Sequence, residues 1–241
     1  MEKPAVVSSD LTPDWLEKRD RMTSELFHQL RRGVMEPGKG LNLYQLGKFL
    51  EHQNPFVTPA SKIEEWREFY KDVFGWDKDF SNLQIPPERE GFGWLIIVAE
   101  GLTLNRVFDK CTKRMKAWRW ADNLDRAVPK NDREAKTDYA IWVRDRVEAD
   151  EELKNLSANQ LTEKGILGIT LLERLILELF YFWNTRGKHL DRKNVTLCAG
   201  SRRSGGHVPG VHWRSNDRLR VAWGHPVDSA GGLRARAVVS A

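Results

Sequence analysis

Cys198, His207, His212 and His225 are the residues of the C-terminal segment whose types ligate metals. A structural or catalytic zinc needs three or four such ligands converging, usually announced by C-x2-C or H-x3-H spacing. Here the histidines are 5 and 13 positions apart, with no tight pair, so they read as residues of Gly-rich turns and no metal is expected. Asp145, Glu148 and Glu152 have the separations that share one helix face, as a general acid/base pair could. Such a pair must sit in a cleft that splits its pKa values, whereas this run is flanked by Arg and Lys and reads as a solvated helix face. Ala199-Gly-Ser-Arg-Arg lacks the G-x-S-x-G nucleophile elbow, and no G-x4-G-K-[ST] phosphate loop occurs. Gly91-x-Gly93 precedes a strand pattern instead of following one, so it is no dinucleotide fingerprint. The expectation is a chain with no catalytic residues and no cofactor.

What remains is the unusual composition of residues 200–223, where Arg, His, Trp and Gly interleave. From Cys198 to Ala241 there are seven Arg, no Lys and two acids, an excess of five positive charges that equals the net charge of the whole chain. The preceding residues balance 32 bases against 32 acids. Arg and Trp alternating on strands could neutralise phosphates and stack bases, so nucleic acid is one candidate partner. Period-2 alternation offers another reading. Leu219, Val221 and Trp223 fall on one strand face as core, and Arg218, Arg220, Ala222 and Gly224 on the other as exposed surface. Ser215-Asn-Asp217 supplies the turn before them. Leu233, Ala235, Ala237 and Val239 alternate with Arg234 and Arg236 in the same way.

Helices and strands must position these residues. Thr12-Pro13 opens a helix with Trp15, Leu16, Met22, Leu26 and Leu30 on one stripe, ended by Gly33. Leu43, Leu46, Phe49 and Leu50 mark a second helix, and Thr58-Pro59 opens a third carrying Ile63, Trp66, Phe69, Tyr70, Val73 and Phe74. Residues 85–91 read as a linker. Then come a strand over 94–98, a helix over 103–116 with Leu104, Val107, Phe108, Cys111 and Met115 inward, and a strand over 139–143. The capping box Thr170-Leu-Leu-Glu173 opens an apolar helix to about Trp183, and short strands follow over 195–198, 211–214, 219–223 and 233–239. Two cysteines are too few for a disulfide scaffold. The longest apolar run is too short to span a bilayer and no signal-peptide core opens the chain, so a cytoplasmic protein with no membrane partner is expected.

The Gly200-Ser-Arg start, the Val208-Pro element, the Leu219-x-Val-x-Trp strand and the closing Leu233-Arg-Ala-Arg-Ala-Val-Val-Ser resemble the C-terminal half of a C-type-lectin-like fold. More narrowly, the tail is similar to bacterial proteins of minimal-genome lineages, which look like the variable proteins of diversity-generating retroelements. The resemblance covers about residues 90–241. It implies an α+β chain with a helical region over 1–88 and a C-type-lectin-like domain over 89–241. It also implies a non-enzymatic display protein that binds a macromolecular ligand, with protein the favoured class, through a tolerant surface within about 200–232.

Position by position, the resemblance assigns the ligand-binding role to Arg203, Gly205, His207, Gly210, Val211, His212 and Arg214. It continues through Arg218, Arg220, Ala222, Gly224, His225, Val227 and Asp228. Framework positions are Gly200, Ser201, Arg202, Val208, Pro209, Trp213, Leu219, Val221, Trp223, Pro226, Leu233 and Arg234. Enzymes of the same broad fold need cysteine-bound copper or a histidine–iron triad, and animal lectins need acidic calcium clusters. The tail carries neither pattern.

Overall fold

The computed structural model describes residues 13–35, 59–214 and 217–240. The chain divides into two compact units, Met1–Pro59 and Ala60–Ala241. In the first, α1 spans Pro13–Met35, with proline where a helix needs no N–H and Arg32 in the last turn, where a cation complements the helix dipole. Met22 and Phe27 on this helix are exposed. The helix expected around Leu43–Leu50 lies outside the described residues.

Helix α2 (Pro59–Phe74) belongs with the second unit. The sequence groups it with the N-terminal helices, but its aromatic stripe is core of that second unit. Trp66 stacks on Phe180 at 4.1 Å and donates its Nε1–H to the Leu95 carbonyl. The Tyr70 hydroxyl donates to the Ile97 carbonyl at 2.8 Å and accepts from the Ala99 N–H. Such buried hydroxyls and indoles need partners, and these partners are the carbonyls and N–H of a strand and its end. The expected boundary lay at residue 88, and the second compact unit starts at Ala60. Residues 85–91 are likewise not a free linker, since Pro86 is buried and its carbonyl accepts from Trp142 Nε1 at 2.8 Å.

The second unit is α+β with largely antiparallel sheets. Strands β1 (Trp94–Val98) and β4 (Tyr139–Val143) match the expected spans, and β10 (Val238–Ser240) pairs β4 antiparallel to give the order β1-β4-β10. A five-stranded sheet has the order β2 (Ala117–Arg119), β8 (Arg218–Gly224), β7 (Val208–Arg214), β5 (Val195–Leu197), β9 (Leu233–Ala235). A small ladder joins β3 (Lys130–Asn131) to β6 (Ser201–Arg202). The helices of this unit after α2 are α3 (Leu104–Thr112), the short α4 (Leu124–Ala127) and α5 (Ala158–Glu163), and the long α6 (Leu171–Asn184). Helix α6 packs on α3, β1 and β7. The Thr170/Glu173 capping box forms reciprocally, as the sequence predicts.

Two expectations fail for identifiable reasons. The single strand expected over 233–239 is two strands in different sheets, because Arg236 turns into the interior between them and is fully buried. The run 145–152 is not a solvated helix face. Asp150 is buried against Arg144, Glu152 takes both guanidinium nitrogens of Arg146, and Glu148 accepts the backbone N–H groups of Arg192, Lys193 and Asn194. These three carboxylates have separate structural partners.

Candidate ligand-binding face

The hairpin β7–β8 is the centre of the five-stranded sheet, and its register decides which predicted residues reach solvent. Val211 pairs with Val221, Trp213 with Leu219, and His212 with Arg220. The first two pairs face the core, with Val211, Leu219 and Val221 fully buried. The alternate pair faces outward. Strand β2 runs parallel to β8 with Trp118 opposite Arg220, and β5 places Val195 beside His212. Trp118, Arg220, His212 and Val195 therefore form a row across the outer face. The Arg220 guanidinium lies 4.7 Å from the Trp118 ring centroid, and that indole is 38 % exposed.

A second cluster forms at the other end of β8. Trp223, expected in the core by alternation, is 42 % exposed although its cross-strand partner Pro209 is buried, so the core ends before this position of β8. His207 packs edge-on to the Trp223 ring at 4.6 Å, His225 lies 4.6 Å from His207, and the Arg203 guanidinium lies 4.8 Å over the Trp223 ring. The turn that closes this corner runs through Gly205 and Gly206, both at φ +87°, where a side chain would be strained, with the Arg203 N–H donating to the His207 carbonyl. The His207 Nδ1 and Arg220 Nε atoms are enclosed and have no hydrogen-bond partner among the described residues.

The remaining predicted residues divide by environment. Arg218, Val227 and Asp228 are exposed and Ala222 half-buried. Asp228 is also structural, since its carboxylate accepts the His225 N–H at 2.7 Å. A side chain at Gly224 would sit 3.0 Å from that carboxylate. Two residues assigned to the displayed set are covered: Val211 faces the core, and Gly210, of outward parity, is buried beside Val195, which a Cβ there would meet at 3.1 Å. Of Arg214 only the strand position is described, opposite Arg218. His207, just before β7, and His212 within it have opposite parity, so His212 stands apart from the His207–His225 pair. Among the described residues, no group of three or more His, Cys, Asp or Glu could hold a metal ion. Burial pushes both cysteine thiols, Cys111 and Cys198, well above their ordinary pKa.

The framework motif has a visible mechanical role. A Cβ at Gly200 would lie 2.6 Å from the Gly168 carbonyl oxygen, so only glycine fits where the chain crosses the start of α6. Ser201 Oγ accepts the Leu171 N–H at 2.9 Å and donates to Asn131 Oδ1. Sequence reasoning missed Trp118, which enters the face from β2. Its only signal was the short Ala-Trp-Arg run after a basic stretch. Among the described residues no helix is long and apolar enough to cross a membrane. No family model, no curated protein and no solved structure matches this chain.

Proposed function

We propose that this chain is a non-enzymatic binding module on a C-type-lectin-like scaffold, meeting a macromolecular ligand through the outer face of β7–β8 and the adjoining turns. The observation that carries the reading is the Arg203–Trp223–His207–His225 cluster: aromatic and cationic side chains, with Trp223 and His225 exposed, at the end of a strand whose Leu219 and Val221 are fully buried. Trp and Arg are the side chains that most often dominate interface energies, and a rigid back lets a face change without unfolding. The return of β10 to the sheet that β1 begins supports the lectin-like topology, since it closes the second unit into a loop with its last strand near its first. Buried, high-pKa thiols support a non-catalytic reading.

On this reading Arg203, His207, His212, Arg220, Ala222 and His225 are positions where the encoded residue varies among copies, as in variable proteins of diversity-generating retroelements. Randomising these six positions in a display library tests it. Most members are expected to remain folded, and binders to an arbitrary protein target are expected to emerge. A library that is largely unfolded, or yields no binders, defeats the reading. At the DNA level, a near-copy of the segment encoding residues 200–232, beside a reverse-transcriptase gene and differing at adenines, is the expected companion. Nucleic acid is the competing ligand, and a steep fall of oligonucleotide affinity with salt would favour it.

A further inference from the structure

The positive charge that sequence order assigns to the tail is distributed differently in space. Arg236 is buried against Asp191 and Arg234 pairs with Glu151, so two of the seven tail arginines neutralise internal partners. A second cationic run exists upstream, with six bases and one acid between Arg106 and Arg119. Folding brings its end beside the candidate face. Lys113 and Lys116 are exposed and Arg114 half-buried, immediately before edge strand β2. The Leu219 N–H donates to the Lys116 carbonyl at 2.9 Å, and the parallel register sets Lys116 beside Arg218 and Trp118 beside Arg220. Asp109 lies 3.9 Å from Arg119, Asp122 follows β2, and Asp217 sits in the hairpin turn. Burial, then the charges of Lys113, Arg114 and Arg106, lower the Lys110 pKa, as expected where cations crowd without compensation.

Resting on the reading that the β7–β8 face is the binding surface, we propose that Lys113, Arg114, Lys116, Trp118, Arg218 and Arg220 form a cationic flank that selects an acidic segment of a protein partner. Four of these residues lie outside the segment 200–232, so the preference is built into the framework and persists when the displayed residues change. The Trp118 ring carries the Arg220 guanidinium and the Trp223 ring that of Arg203, which occupies faces a nucleobase would stack on. A guanidinium laid on an indole keeps its N–H edge free for the two oxygens of a carboxylate. These two features favour carboxylates of a peptide over bases and phosphates of a nucleic acid.

The test uses the full chain and two labelled probes, a ten-residue poly-glutamate peptide and a ten-nucleotide oligothymidylate, followed by fluorescence anisotropy. Poly-glutamate is expected to bind, more tightly than oligothymidylate. The triple reversal K113E/R114E/K116E is expected to weaken it at least about tenfold with the melting temperature unchanged. The neutral triple K113Q/R114Q/K116Q, which perturbs the fold least, is expected to weaken it about threefold. Unchanged poly-glutamate affinity in both triples overturns the proposal, as does tighter binding of oligothymidylate. Failure of the parent reading looks different: the randomised face yields no binders, while poly-glutamate still responds to the triples.

Discussion

Arg236 and Arg220 come from the same tail, yet they do opposite things. Arg236 is fully buried: it donates to the Arg146 and Val147 carbonyls at 2.8 Å and pairs with Asp191 at 2.8 Å. Asp191 also pairs with Arg174 at 2.8 Å and accepts from the Thr196 hydroxyl, and Arg174 pairs in turn with Glu178. Arg220 lies on a sheet face with an indole beneath it and an enclosed Nε without a partner. The first arginine is committed, because removing its partners strands charge in a low-dielectric interior. The second is half-buried on an exposed indole and pairs with no carboxylate among the described residues, so it is not tied into the buried charge network. Residue type thus says little here, and the environment separates a structural guanidinium from a presented one.

The contrast is sharpest at the centre of the buried cluster. Asp191→Asn leaves Arg174 and Arg236 facing a neutral amide and is expected to cost about 3–5 kcal/mol in urea unfolding. Val211→Ala empties a fully buried site and is expected to cost roughly 1.5–3 kcal/mol, while its neighbour His212→Ala changes stability by less than about 0.5 kcal/mol. Equal effects at these adjacent positions would break the two-faced description of β7. Gly200→Ala drives a methyl into a backbone carbonyl and is expected to cost about 1–3 kcal/mol by the same measurement.

Acid distinguishes the regions more gently. Burial alone would raise the Asp191 pKa, but Arg236 and Arg174 outweigh it and hold the carboxyl below its ordinary value. The unfolded chain titrates this group near 3.9, so its contribution is full above about pH 4 and is lost as pH falls through the lower folded value. Wild type should therefore lose stability below about pH 4 more steeply than Asp191→Asn, measured as urea midpoint against pH. The smallest stability effect is on the surface. Arg220→Ala is expected to alter stability by no more than about 0.5 kcal/mol while weakening ligand binding, and a larger loss of stability would make this arginine structural after all.

Much of the scaffold was legible from residue patterns. Trp94–Val98 and Tyr139–Val143 are short apolar runs of β-branched and aromatic residues, and both are strands with the expected bounds. The inward stripe of Leu104, Val107, Phe108, Cys111 and Met115 is buried as its spacing requires. The face was legible only in part. Alternation correctly placed Leu219 and Val221 inside, then failed at Trp223, because parity says which way a side chain points but not where the core ends. It failed at Arg236 for the converse reason, since a buried cation needs carboxylate and carbonyl partners from distant segments.

The sequence alone determined the local elements: proline at helix starts, the Thr170/Glu173 capping box, the strand alternation and the glycines at turns are all set by interactions within a few residues. It also determined that the tail is rich in arginine and poor in acid. Tertiary structure alone decided which arginines are neutralised, which tryptophans are exposed, and that Trp118 and the basic run before it stand beside β8. Those outcomes depend on pairings between residues tens to a hundred positions apart. Local periodicity carries no record of such pairings, because burial and electrostatic partnership are properties of the assembled sheets.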